Sequence, residues 1–236
     1  MTIARDVLAG IPALPIAVAK VLEETGKDDP DQRVITRALE SDAGLATKML
    51  SLVNSPYYGL NGTITSLSQS VMIIGMRQVR NVALAVGALR SIPGIPPATV
   101  EAFLDRAMTT AKTARSLATK GGLSTAEADT THLGGLLRGV GSLIALRAGN
   151  PRPKDEEIVR FAKMALEYWK LPQALVQAVA ASAGPFREGA PATASHAVYV
   201  ASMLIDGRGG EVDENALKSL GMTAKDLAFY DPLVKA

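Results

Sequence analysis

Side chains that commonly carry out chemistry are scarce in this sequence of 236 residues. There are two histidines, His132 and His196, which lie far apart, and there is no cysteine. A histidine metal site usually needs more ligands or a local pair such as H-E-x-x-H, and the sequence has neither. Each histidine stands in a helical stretch rich in Ala and Leu, where a packed or surface histidine is the favoured interpretation. No set of metal ligands is therefore predicted.

Patterns that mark an activated nucleophile are also missing. The nucleophile-elbow motif G-x-S-x-G does not occur, and the absence of cysteine rules out a Cys–His pair. Asp28, Asp29 and Asp31 are predicted to form a turn and a helix cap. Glu156 and Glu157 are predicted to open a helix, where acidic side chains favour the positive end of the helix dipole.

One glycine-rich stretch, GGLLRGVGSLI, is similar to a phosphate-binding loop at Gly139 and Gly141. It lacks the preceding strand, the third spaced glycine and the Lys-Ser/Thr pair that would bind phosphate or magnesium. Close packing of helices through small residues is the favoured interpretation.

Arg77 and Arg80 lie three positions apart on one predicted helix. Such a pair can present two cations to a phosphate or a carboxylate, although a solvated helix face is the more ordinary interpretation. We name both as candidate contacts to an acidic partner.

The segment LVNSPYYGLNG places two tyrosines side by side among loop-forming residues, in a chain with only five Tyr, four Phe and one Trp. Asn54 or Ser55 is predicted to bond backbone groups at the end of the preceding helix. Gly59 permits a backbone angle that a larger residue would hold at a cost. We expect Tyr58 to point inward and Tyr57 to be more exposed, where it can contact a partner.

Helix-period patterning runs along almost the whole chain. Leu45, Met49 and Leu52 share one helix face, and the same pattern extends for three turns from Ile158 to Trp169. Good N-terminal caps precede three of these helices, at Asp31, Asp42 and Ser66. The apolar runs VMIIG and AVYVASMLI are short enough for strands, but each continues a helical stretch. The sequence therefore predicts an all-α fold.

A proline-rich connection divides the pattern of helices in two. Residues 93–97 carry four helix breakers. We predict a single domain, 1–236, with an N-terminal helical lobe over about 1–92 and a second lobe over about 98–236. Because the connection is short, the two lobes are expected to pack together.

Composition is that of a folded protein, with 47% hydrophobic and 20% charged residues. The net charge is +2, and the basic residues are scattered among 23 acidic ones, so a nucleic-acid partner is not expected. No stretch of about 18 apolar residues lacks a charge or a helix breaker, so no membrane span is predicted. The N-terminus has no apolar core of the signal-peptide type, and a cytoplasmic location is expected.

Two long stretches, IPALPIAVAKVLE and DAGLATKMLSLVNSPYYGLNGTITSLSQSVMIIG, resemble the HDOD family, the non-catalytic relatives of HD-domain phosphohydrolases. The resemblance covers about residues 8–205 and implies a compact all-helical fold. Its motif residues are Asn54, Ser55, Tyr58 and Gly59 in N-S-x-x-Y-G, and Trp169 and Pro172 in a later W-x-L-P turn.

The resemblance also shows where this chain departs from a working phosphohydrolase, which holds metals with His and Asp residues. Arg138 and Gly139 stand where many relatives have the pair His-Asp, and Arg106 stands near the position of an earlier histidine. Neither side-chain type ligates a metal, and two cations repel a divalent ion. We therefore expect no metal, no cofactor and no hydrolase activity at this vestigial HD site.

The resemblance implies a non-enzymatic output or adaptor module of bacterial signal transduction that acts through contacts with signalling proteins. The alternative is a sensor that binds an anionic small molecule, such as a nucleotide, in the vestigial cavity beside Arg106 and Arg138. A hydrolase that uses other residues ranks below both hypotheses.

Overall fold

The structure is a computed structural model that describes residues 13–55, 58–60 and 62–230. These residues form helices, turns and loops, and none of them forms a strand. The all-α prediction is confirmed, and both VMIIG and AVYVASMLI are helical. The described residues divide into two compact units on either side of the Pro93–Gly94 peptide.

The first unit is built from amphipathic helices joined by short turns. In chain order these are α1 (Ile16–Glu24), α2 (Gln32–Glu40), α3 (Ala43–Val53) and α4 (Leu67–Arg90). Helix α4 packs on the other three, and its second half is buried almost all round. Such a helix forms the centre of a small core.

Each of three predicted caps begins its helix as expected. The Asp31 carboxylate accepts a hydrogen bond from the backbone N–H of Arg33 at 2.7 Å. Asp42 accepts one from the N–H of Leu45 at 2.9 Å, and the Ser66 hydroxyl accepts one from the N–H of Gln69 at 3.1 Å. These bonds satisfy amides that have no partner inside the helix.

Helix α4 is broken at Gly75, whose φ of 81° and ψ of 155° lie outside the helical region. Glycine adopts this angle because it has no Cβ. Within the described residues, Leu67–Arg90 is the one helix whose length and composition would allow it to cross a membrane. Its most apolar stretch is 56% buried, and core helices of this kind meet the same criteria, so this is weak evidence for a span.

The loop after α3 is held by one side chain. The Asn54 amide nitrogen donates to the carbonyl oxygens of Leu50 at 2.9 Å and Ile64 at 2.8 Å. Its amide oxygen accepts from the backbone N–H of Ile64 at 2.7 Å. Of the two residues predicted to bond this helix end, Asn54 therefore ties the helix to the extended segment that leads into α4.

Of the two adjacent tyrosines, the structure describes Tyr58. Tyr58 is half-buried, its hydroxyl oxygen is buried, and Gly59 follows it with a left-handed φ of 56°. Tyr57 lies outside the described residues, so its predicted contact with a partner stays a prediction.

The second unit contains the longer run of helices. They are α5 (Pro97–Lys120), α6 (Thr125–Arg138), α7 (Val140–Arg147), α8 (Asp155–Tyr168), α9 (Gln173–Ala180), α10 (Ala194–Ile205), a 3-10 turn (Gly209–Glu211), α11 (Glu214–Ser219) and α12 (Ala224–Leu227). Helix α6 packs against α5, α9 and α10. Trp169, which is buried, ends α8, and Pro172 precedes α9, so the W-x-L-P turn joins these two helices.

The glycine-rich stretch lies where helices of this unit approach closely. A Cβ added at Gly135 would lie 2.7 Å from Cα of Ala111 on α5. A Cβ added at Gly141 would overlap the carbonyl oxygen of Ile158 on α8. Contacts this close require glycine, which agrees with the packing interpretation of the motif.

Replacement of Asn54 by Ala should lower the free energy of unfolding by about 1.5–4.5 kcal/mol, because three hydrogen bonds are lost and each is worth about 0.5–1.5 kcal/mol. Urea unfolding followed by circular dichroism measures the change. Ser51→Ala, exposed on the same helix, is the matched control and should change stability little. Equal small effects of both substitutions would show that Asn54 does not hold the loop.

Candidate functional site

Arg106, Arg138 and Gly139, which the sequence names together, line one cavity of about 110 Å³ in the second unit. We call it the arginine cavity. Helix α5 supplies Arg106, and the end of α6 supplies Arg138 and Gly139. The remaining lining residues are Phe103, Ala107, Thr110, Gly135, Ser142, Ile158, Ser202 and Asp206.

Arg106 forms an ion pair with Asp206, which follows the end of α10. About half of the Arg106 side chain is exposed, whereas 23% of the Asp206 side chain is. Burial lowers the pKa of Arg106 from its usual value, and the charge of Arg138 lowers it further. The two arginines are therefore close enough to repel each other across the cavity.

Arg138 is the more deeply buried cation, with 7% of its side chain exposed. Its Nη2 donates to Oδ1 of Asp155 at 2.5 Å. The second oxygen of Asp155 accepts a hydrogen bond from Nη1 of Arg208 at 2.6 Å. Arg208 also donates from Nε to Glu211 at 3.0 Å. The charges thus alternate in sign from the cavity to the surface.

Asp155 is the centre of this chain of charges. Burial raises the pKa of its carboxyl, but the hydrogen bonds from Arg138 and Arg208 outweigh burial and hold the pKa below its usual value. The hydrogen bond to Asp155 raises the pKa of Arg208. Both shifts favour the charged forms of Asp155 and Arg208 at neutral pH.

The arrangement leaves no free ligands for a metal ion. A guanidinium has no lone pair to offer, and Gly139 has no side chain. Among the described residues, no group of three or more His, Asp or Glu side chains could hold a metal. The residues present therefore do not fit the metal centre of an HD phosphohydrolase.

The histidines lie in packed positions. His132 is buried, and burial, with the charge of Arg115, lowers its pKa to about 4. Nδ1 of His196 lies 2.7 Å from the Thr193 hydroxyl, and the His196 ring packs on Phe186 with ring centroids 4.6 Å apart. These positions agree with the interpretation of both as packed side chains.

Arg77 and Arg80 lie on α4, in the first unit. Arg77 is exposed, but Arg80 is half-buried, and burial lowers its pKa. Arg77 is therefore the more exposed of the two cations, and the contact of this pair with an acidic partner stays a prediction.

Sequence reasoning missed Asp155, Asp206 and Arg208. Asp155 stands immediately before the two glutamates that were predicted to open α8, and it does lie in the first turn of that helix. Its partners Arg138 and Arg208 are 17 and 53 positions away. No local spacing signals a network of this kind, because it forms between three different elements.

Replacement of Arg138 by Met should lower the free energy of unfolding by about 3 kcal/mol. Removing one partner of a buried ion pair costs about 3–5 kcal/mol, and the lower value is expected here because Asp155 remains paired with Arg208. Adding Asp155→Asn should recover part of the loss. Urea unfolding of the single and double variants measures the coupling.

Arg152→Met, at an exposed arginine of the same unit, is the control and should be nearly neutral. If the effects of Arg138→Met and Asp155→Asn simply add, the two residues are not coupled and the network has been misassigned.

A family model for the HDOD domain matches residues 11–157. Over 85 residues, 36% of the chain, the sequence is 31% identical to an uncharacterized protein of Treponema pallidum (strain Nichols). The match spans 17% of the length of that relative.

Three solved structures share the fold. A presumed phosphohydrolase of Shewanella amazonensis SB2B superposes with a TM-score of 0.71 at 16% identity, over 98% of this chain and 95% of that one. A presumed signal-transduction protein of Marinobacter aquaeolei VT8 superposes with a TM-score of 0.69 at 18% identity, over 95% of this chain and 58% of that one. An HDOD domain protein with unknown function from Geobacter sulfurreducens superposes with a TM-score of 0.66 at 16% identity, over 99% of this chain and 95% of that one. At these identities the likeness shows the fold alone.

Proposed function

The chain belongs to the HDOD domain family, and we propose that it is a non-enzymatic output or adaptor module of bacterial signal transduction. It acts through protein–protein contacts and works in the cytoplasm. A signalling role agrees with the name of the Marinobacter aquaeolei protein that shares its fold. Its partners are signalling proteins.

The charge pairing in the arginine cavity carries this proposal. In a phosphohydrolase the carboxylates of the site must be free to hold a metal, which activates water. Here Asp155 is held between Arg138 and Arg208, and Asp206 is paired with Arg106. The cavity therefore supplies neither metal ligands nor an unpaired general base, and we interpret it as the vestige of an HD site.

The same pairing weighs against the nucleotide-sensor alternative. Small-molecule sites usually have volumes of about 300–1,000 Å³, whereas the arginine cavity has about 110 Å³. An anion would also have to displace Asp155 or Asp206 from its arginine. Ligand binding in this cavity therefore costs an existing ion pair.

Exposed apolar side chains support a role in contacts. Met72 and Ile73 on α4 are 70% and 49% exposed, and Tyr168 and Phe229 in the second unit are 50% and 72% exposed. Large apolar side chains at the surface are commonly found where proteins meet.

An assay of the purified chain against phosphomonoesters, phosphodiesters and cyclic dinucleotides, with Mn²⁺ or Mg²⁺ added, tests the proposal. The expected rate equals the rate without protein, because no residue of the cavity can activate water. The matched variant carries Asp155→Asn and Asp206→Asn and should give the same background. Turnover by the native chain that this variant loses would overturn the proposal.

A further inference from the structure

Helices α11 and α12 and the 3-10 turn before them form a cavity of about 340 Å³, which we call the α11/α12 cavity. It lies wholly within the second unit and shares no lining residue with the arginine cavity. Small-molecule sites usually have volumes of about 300–1,000 Å³. The α11/α12 cavity is therefore large enough for a small ligand, whereas the arginine cavity is not.

The apolar part of the lining belongs to the core of the unit. Leu217 and Met222 line the cavity, and each is 3% exposed within the core cluster that α10 also enters. Val212, which is half-buried, packs against the same cluster. Side chains held by a core are already ordered before a ligand arrives, so a ligand does not have to order them.

Another part of the lining has no side chains. Gly209 and Gly210 form the 3-10 turn at this wall, and a Cβ added at Gly210 would have no atom within 4 Å. Backbone without side chains lets a ligand approach closely. The cavity therefore combines a core-anchored apolar surface with accessible peptide groups.

Two opposite charges complete the lining. Glu214 and Lys218 are exposed and lie four positions apart, so they share one face of α11, and Leu217 lies on that face between them. Neither charge is paired with another residue in the part of the chain that the structure describes. A pair between them would be weak at this spacing on a helix surface, so a ligand can compete with it.

From this arrangement we infer that the α11/α12 cavity binds a free amino acid with an apolar side chain. The ammonium group of the ligand pairs with Glu214, its carboxylate pairs with Lys218, and its side chain contacts Leu217 and Met222. An anion such as a nucleotide is disfavoured, because it would meet Glu214 as well as Lys218. The inference goes beyond the proposed function, since it gives the module a small-molecule signal at a separate site.

Titration of the isotope-labelled full chain with L-leucine, followed by heteronuclear NMR, tests the inference. Saturable shifts are expected at the backbone amides of Gly209, Gly210 and Leu217. Two analogues of L-leucine each lack one charge: isocaproate has no ammonium group, and isoamylamine has no carboxylate. Each should bind at least about tenfold more weakly than L-leucine, because one charge-assisted contact is lost.

Variants of the two charged residues assign each contact. Glu214→Gln should weaken L-leucine about tenfold and leave isocaproate unchanged, whereas Lys218→Gln should weaken L-leucine and leave isoamylamine unchanged. Both side chains are exposed, so the thermal midpoint should stay the same. Glu188→Gln and Lys225→Gln remove the same charges at exposed positions outside the lining and should leave binding unchanged.

Three results would each overturn the inference: no saturable shift with L-leucine, shifts confined to other surfaces, or equal affinity for the three ligands. Equal affinity would show an apolar cavity that does not read the two charges. None of these results bears on the proposed function, which fails separately if turnover is found.

Discussion

Much of the second unit depends on one constraint: a buried guanidinium must have a carboxylate beside it. Arg138 ends α6 with 7% of its side chain exposed, and Asp155 opens α8 to meet it. A buried charge without a partner costs several kcal/mol, so the two helix ends are fixed relative to each other. Arg208 extends the same constraint to the turn after α10. In the proposed function, this ion network occupies the position where a catalytic relative would hold its metal.

This replacement has a consequence for function. A cavity with paired charges and little volume can stabilise the fold without binding a substrate, which leaves the surface for recognition.

The fold could be predicted because its signals are local. Caps such as Asp42 and the apolar periodicity of α3 act over a few residues, so they can be read directly from the chain. The cavity could be predicted only in part, since Arg106, Arg138 and Gly139 were located by resemblance. Their carboxylate partners come from distant elements. Without those partners, the two arginines suggested an anion site, whereas the structure shows that they are paired.

The central claim is that the charges of the arginine cavity satisfy each other and leave no ligands for a metal. Isothermal titration of Mn²⁺ into the metal-stripped full chain tests it most directly. We expect no stoichiometric binding, because Asp155 and Asp206 are held by arginines. Stoichiometric, saturable binding of Mn²⁺ that disappears when both aspartates are replaced by Asn would contradict it.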